Sequence, residues 1–349
     1  MEKKYNPFYD VLTILACLMV VFFHTNGIIY TYSNSISWKI SIIERSIVYS
    51  AIPIFFMLTG AKLMEYRKRY TTKEYALRRL KRTGIPFVFW NAFWVIILAA
   101  FSSDFSVSSV KEFLSMLINS EFQTSYWFFF PLFAIYAAIP VISLVLQAEN
   151  HRKYLWYAVY VVFGLEWVLK PLFGISGIDY NSYLTIPISG GFMMYVLFGY
   201  LVSTESWSRR KRLILYLSAV VSGAFFVGYT FIRSESAGKD MLQLASYHYF
   251  PSALTGAAVF VFLKHLFDNP KVTDALYRRM RLVKVIRTVA DCCMGVWLTH
   301  GLAISVFAKA FGLSQNDYLY RFVLPPIVFT ACVFGVWVVR KIPVLRRVV

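Results

Sequence analysis

Two histidines set inside long apolar runs, His24 and His300, are the residues best suited to chemistry by type and setting. Imidazole titrates near neutral pH and serves as general base or hydrogen-bonding partner. An ionisable side chain inside a membrane-length apolar stretch is costly, so it marks a functional-site hypothesis by default. The first such stretch, FYDVLTILACLMVVFFHTNGII from Phe8 to Ile29, carries both Asp10 and His24. The two lie about four helical turns apart and share one stripe with Thr13 and Cys17, facing the protein interior rather than lipid. Counted from Phe8, His24 stands roughly 24 Å across a hydrocarbon core of about 30 Å, with Asp10 near the starting face. The same count places His300, within GVWLTHGLAI, roughly 18 Å deep, near mid-membrane.

The elements that position these residues follow from composition. Hydrophobic residues make up 58% of the 349, and charged residues only 15%. Soluble domains average about 45–50% and about 25%. Ten apolar windows can be marked, near 8–29, 47–66, 84–103, 126–148, 154–173, 188–204, 213–233, 248–267, 288–312 and 321–340. This is the pattern of an all-α integral membrane protein with about ten transmembrane helices, forming one domain over residues 1–349. The sixth window is short, with Pro187, Gly190 and Gly191 at its start.

A net charge of +18 would suggest nucleic acid in a soluble protein, but here the basic residues cluster between apolar windows. With a cytoplasmic N-terminus, one face collects Lys3, Lys4, the 67–82 cluster, Arg152, Lys153, 209–212, 271–287 and the tail arginines. The other face holds little beyond Lys39, Arg45, Lys111 and Lys239. That bias is the positive-inside pattern, so both termini are expected in the cytoplasm, with lipid headgroups rather than nucleic acid as partners. The first run is too long for a signal peptide and lacks a small-x-small cleavage site. Trp38, Trp127, Trp167 and Tyr180 fall near window boundaries, where amphipathic rings settle.

Other polar groups suggest smaller roles. Arg78 and Arg82, four apart, make one basic face on a helix, able with Arg79 to grip donor phosphates. Glu166 and Lys170 have the spacing of an ordinary ion pair. Asp104, Glu112, Glu121 and Asp179 fall on the outer side, where a carboxylate partner for His24 could reside. His151, His248 and His265 lie at loop edges and read as structural. Cys17, Cys292, Cys293 and Cys332 show no CxxC spacing and imply neither a disulfide framework nor a metal site.

Six stretches in order then carry a likeness: Tyr9–His24, Ile52–Gly60, Arg78–Trp90, Tyr126–Pro140, Tyr195–Ser203 and Gly295–His300. Together they resemble the membrane acyltransferase-3 family, and within it the enterobacterial-common-antigen O-acetyltransferase type, over nearly the whole length. The resemblance implies transfer of an acyl group, usually acetyl from cytoplasmic acetyl-CoA, to a hydroxyl of an envelope glycan or lipid-linked sugar. It implies residence in the bacterial cytoplasmic membrane and no permanently bound cofactor. In that family's first helix an arginine precedes the histidine with ten residues between. His24 matches the histidine, whereas the arginine position is Thr13. Either another cation, such as an inner-loop arginine, fills the role, or the chemistry is altered. The family's serine in F-x-x-S-G is Thr59, its late histidine is His300, and two positions near the ninth helix are Cys293 and Trp297.

The resulting expectation is an O-acyltransferase with His24 as general base on the acceptor and Arg78, Arg79 and Arg82 on the donor phosphates. His300 and Thr59 support by hydrogen bonding or at the oxyanion, and Asp10 orients groups at the inner mouth. Thr13 and Trp127 complete the supporting set. The competing readings are a flippase for a lipid-linked sugar and a non-catalytic relative.

Overall fold

The computed structural model describes residues 6–101, 106–181, 183 and 185–349; Lys3, Lys4 and Asp104 lie outside the described residues. Its helices in chain order are α1 (Phe8–Thr25), α2 (Ile36–Val48), α3 (Ala51–Leu63), α4 (Thr72–Arg79) and α5 (Ile85–Phe101). The central helices are α6 (Val110–Ile118), α7 (Phe129–Ile142), α8 (His151–Val162), α9 (Lys170–Ile175) and α10 (Met193–Thr204). The last are α11 (Arg209–Ala237), α12 (Phe250–Asp268), α13 (Pro270–Tyr277), α14 (Met280–Phe311) and α15 (Leu324–Val339). No strand occurs among the described residues.

Nine helical segments among the described residues are long and apolar enough to cross a membrane. The sixth window yields the shorter α10, of 12 residues, because the Pro187–Gly191 stretch forms turns instead of helix. The second segment runs from Ile36 to Lys68, beginning well before the expected window. Ser35 starts it, its hydroxyl accepting from the Trp38 N–H at 3.2 Å as an N-cap. Elsewhere Thr71 and Glu74 close a capping box on α4, and Ser208 caps α11. Gly312, at φ 61°, ends α14 in the left-handed conformation that glycine adopts without steric cost.

That early start of α2 changes the charge map. Arg45 lies within α2 and is buried, 1% exposed, rather than in an outer loop. Arg321, at the head of the last segment, is fully buried and pairs with Glu44 at 3.2 Å while donating to Ser37 O at 3.0 Å. Trp38 and Trp167 are also buried instead of resting at a lipid boundary; Trp38 Nε1 donates to Ile29 O at 3.2 Å.

The core positions α1 against α3, α14 and α15. Helices α3 and α10 cross at glycines: a Cβ on Gly60 would overlap the Val196 carbonyl, and one on Gly199 the Met57 backbone. Small residues at such crossings let backbones approach closely, which in lipid supplies association through packing.

Two predictions concern this framework. Gly60→Leu or Gly199→Leu should lower stability by about 1–3 kcal/mol or more, read as thermal melting in detergent. Gly164→Ala, with no atom within 4 Å of its Cβ, should leave the melt unchanged. Arg321→Met leaves the Glu44 carboxylate buried without its partner and should cost about 3–5 kcal/mol. The double variant Glu44→Gln/Arg321→Met should recover most of that loss; a double variant no better than the single would refute the pairing.

Candidate functional site

The α1–α14 contact brings the two histidines together. Their rings lie 4.9 Å apart between centroids, tilted at 47°. His300 therefore stands level with His24 rather than at mid-membrane, because α14 starts at Met280, well before the apolar window. Lower in the same contact, Cys17 Sγ donates to the Cys293 carbonyl at 3.6 Å.

His300 is buried, and its orientation is set by its own helix. Nδ1 lies 2.7 Å from Trp297 O and 3.1 Å from Val296 O. A carbonyl only accepts, so Nδ1 carries the proton and Nε2 presents a lone pair. Nε2 is buried without a hydrogen-bond partner. Two residues earlier, the Leu298 carbonyl accepts from Tyr126 Oη at 2.7 Å, and Trp94 Nε1 donates to that hydroxyl at 3.1 Å. These bonds fix α14 beside the site. His24, in contrast to His300, is exposed, so the pair opens to the surface on the His24 side.

Aromatic rings line this side of the pair. Phe23 meets His24 edge-on at 5.2 Å, and Tyr247 packs on Phe23 at 6.3 Å. Trp127 stacks on Tyr247 at 5.5 Å, so it belongs to the wall without touching the histidines. Trp297 packs on Phe128 at 4.5 Å and on Phe55 at 5.1 Å.

Below the histidines, Thr13 accepts a hydrogen bond from Lys62 Nζ at 3.5 Å and donates its own to Tyr9 O at 2.7 Å. The Lys62 ammonium also lies 5.6 Å from the Tyr9 ring. Asp10 and Arg82 are within Coulombic reach of it. Lys62, on α3, escaped the sequence reading; the signal was a lysine four residues after Leu58 in an otherwise apolar helix. Thr59, one turn earlier, donates to Phe55 O at 2.9 Å, and no hydrogen bond joins it to the histidines.

The three arginines expected to act together diverge. A π-helical turn at Leu80–Gly84 follows α4 and breaks the regular 3.6-residue register. Arg78 lies 5.0 Å from the Tyr70 ring, Arg79 sits between Tyr75 and Tyr136 at 5.9 and 5.6 Å, and Arg82 is exposed. Another π-helical stretch, Phe163–Leu169, separates the expected pair of Glu166 and Lys170. Glu166 accepts from Ile186 N–H at 2.5 Å, whereas Lys170 lies 5.7 Å from the Tyr180 ring.

The expected outer carboxylate partner of His24 does not materialise: among the described residues no hydrogen bond or ion pair joins His24 to a carboxylate. Glu112 is occupied by Ser108, accepting from its hydroxyl at 2.6 Å and its N–H at 2.8 Å. Those bonds hold its carboxyl below the usual range. His248 packs on Phe192 at 4.3 Å, away from the pair. No cluster of three or more metal-ligating side chains occurs among the described residues.

A histidine pair with one free lone pair, in a membrane bundle with a cation below it, suits proton transfer from an alcohol. Comparison with known proteins agrees with that chemistry. No curated protein and no solved structure matches the chain. The Acyltransferase domain family, acyltransferase-3, matches residues 6–340, nearly the whole length. The chain belongs to the acyltransferase-3 family of membrane-bound acyltransferases.

Proposed function

We propose that the protein is an O-acetyltransferase of the enterobacterial-common-antigen type, moving acetyl from cytoplasmic acetyl-CoA to a hydroxyl of an envelope glycan or lipid-linked sugar. The observation that carries the reading is the His24–His300 pair, 4.9 Å between ring centroids, with Nε2 of His300 unpartnered. The one-sided distribution of basic residues supports both termini in the cytoplasm of a bacterial inner membrane.

In this reading the acceptor hydroxyl attacks the thioester carbonyl as His24 takes its proton. His300 Nε2, facing the pair with its lone pair, stabilises the imidazolium by accepting its N–H. The tetrahedral intermediate collapses by breaking the C–S bond, and the coenzyme A thiolate recovers the proton from His24. The backbone carbonyls of Trp297 and Val296 serve His300 as the orienting group that a carboxylate supplies in other histidine sites.

The donor enters from the basic face. Arg82, exposed at the turn after α4, receives a nucleotide phosphate at the membrane surface, with Arg78 and Arg79 held apart from it on tyrosine rings. Lys62 supplies the cation that the family pattern places at Thr13, reaching the same point from α3. Thr13 lies about 16 Å along α1 from His24, a gap suited to the extended arm of an acyl coenzyme A.

Purified protein in detergent tests both halves. His24→Ala should lower coenzyme A release and acetyl transfer by about 10²–10⁴-fold, the usual contribution of a general base. Normal transfer by that variant would remove His24 from the mechanism, and absent donor binding with intact sugar-lipid translocation would favour a flippase. Lys62→Met should raise the KM for acetyl-CoA at least tenfold while Lys62→Arg largely restores it. An unchanged KM in Lys62→Met would leave the donor role of Lys62 without support.

A further inference from the structure

Two buried polar groups beside the histidine pair lack partners and serve no step so far. Arg45 is 1% exposed, and its Nε and Nη1 have no hydrogen-bond partner; Nη2 donates to Asn26 O at 3.2 Å. The Tyr49 hydroxyl, close to the guanidinium, donates to Ala245 O at 3.3 Å. The neighbouring carboxylate, Glu44, takes Arg321 on Oε2 at 3.2 Å, and its Oε1 is buried without a hydrogen bond to Arg45 or any other group. What surrounds Arg45 is aromatic: its guanidinium carbon lies 4.1 Å from the Phe23 ring, 5.2 Å from Tyr30 and 5.3 Å from Tyr49.

A guanidinium held in a membrane bundle with unfilled donors is costly, and such residues face ligand pathways. Asn26 supplies a second orphan. It is fully buried, its Nδ2 donates to Ser41 O at 2.9 Å, and its Oδ1 accepts from nothing. The Nδ2 bond fixes which end of the amide is the oxygen. The unfilled groups are thus complementary: donors on a cation, and one neutral acceptor. A molecule bearing an anionic oxygen and a hydroxyl would fill both.

The location ties them to the reacting atoms. Phe23 carries Arg45 on its face and meets the His24 ring edge-on, and Asn26 follows His24 by two residues. The charge of Arg45 is felt at His24. Tyr30 is the exposed ring of the three around the guanidinium. Lys62 and Arg82 lie on the opposite side of the histidines, so this cation is separate from the donor cations.

We propose that Arg45 and Asn26 form the acceptor-recognition point of the histidine site, Arg45 binding an anionic oxygen, carboxylate or phosphate, on the sugar that His24 deprotonates. The inference rests on the acyl-transfer reading for the word acceptor, but the binding itself does not require turnover. Asn26 Oδ1 accepts a hydroxyl of the same sugar, and the aromatic wall of Phe23 and Tyr247 receives its apolar face.

The test uses the full chain in detergent and three probes: a hexuronate, a hexose 1-phosphate and a neutral methyl hexoside. Thermal shift reads binding without catalysis. Wild-type protein should be stabilised by at least one anionic probe and not by the neutral one; which anion protects identifies carboxylate or phosphate. Arg45→Gln should abolish that shift, and Arg45→Lys should retain part of it. In transfer assays the preference of kcat/KM for the anionic over the neutral acceptor should fall at least tenfold in Arg45→Gln, mainly through KM. Absence of protection of the wild-type protein by either anion would overturn the proposal even if the variants fail to fold. So would a uniform fall in kcat on all acceptors, which marks Arg45 as a stabiliser of the transition-state oxyanion. Should protection appear while no acetyl is transferred, the acyl-transfer reading fails and the anion site stands.

Discussion

The contact between the first helix and α14 is the constraint on which the rest of the site depends. Each helix carries one histidine, and neither imidazole alone has a polar partner suited to stabilising a captured proton. Packing Val21 and Cys17 against Cys293 and Val296 brings the rings to 4.9 Å. In a bilayer this contact draws no hydrophobic drive from water, so close packing and interhelical hydrogen bonds must hold it. The hydrogen bond from the Cys17 thiol to the Cys293 carbonyl, and that from Tyr126, itself held by Trp94, to the turn before His300, supply that registry. The Nδ1–H bond to Trp297 then leaves one outcome for His300, a lone pair on Nε2.

Charge placement around this pair follows the cost of burying ions. Arg321 has a countercharge in Glu44, and Ser37 takes further guanidinium donors, although Arg321 Nε and Glu44 Oε1 remain without hydrogen bonds. Removing one member leaves the other stranded, which is why such pairs bind the ends of the bundle together. Arg45 breaks that pattern, since aromatic faces surround it and only one of its bonds is a hydrogen bond. The contrast between two buried arginines on different segments, one paired with Glu44 and the other next to Glu44 in the chain but bonded to no carboxylate, separates a structural ion pair from a group set among aromatic faces.

Much of this was legible in the sequence, and the misses have specific causes. Apolar windows of membrane length, His24 and His300 are visible because hydropathy and the cost of a buried imidazole are local properties. Arg45 was misplaced because a hydropathy window sees mean polarity, whereas the Ser35 cap and the alternation in Ile36–Val48 carry the helix outward past the window. The Glu166–Lys170 and Arg78–Arg82 spacings misled for a common reason. Both fall on or beside π-helical turns, where one extra residue per turn rotates side chains off the face that i,i+4 arithmetic assigns. The partnership of Lys62 with Thr13 is tertiary, and no pattern within one helix encodes it.

That partnership bears on what the departure at Thr13 means. A family pattern records a residue at a sequence position, but a substrate meets a charge at a point in space. Helices α1 and α3 pack side by side, so an ammonium can reach that point from either. Thr13 then becomes a hydroxyl that accepts from the cation and donates its own hydrogen bond to Tyr9 O, holding the ammonium in place. An arginine at Thr13 together with Lys62 would put two cations at one buried point, which electrostatic repulsion disfavours. The threonine and the lysine thus form one polar contact between α1 and α3, and the proposed donor role of Lys62 rests on it.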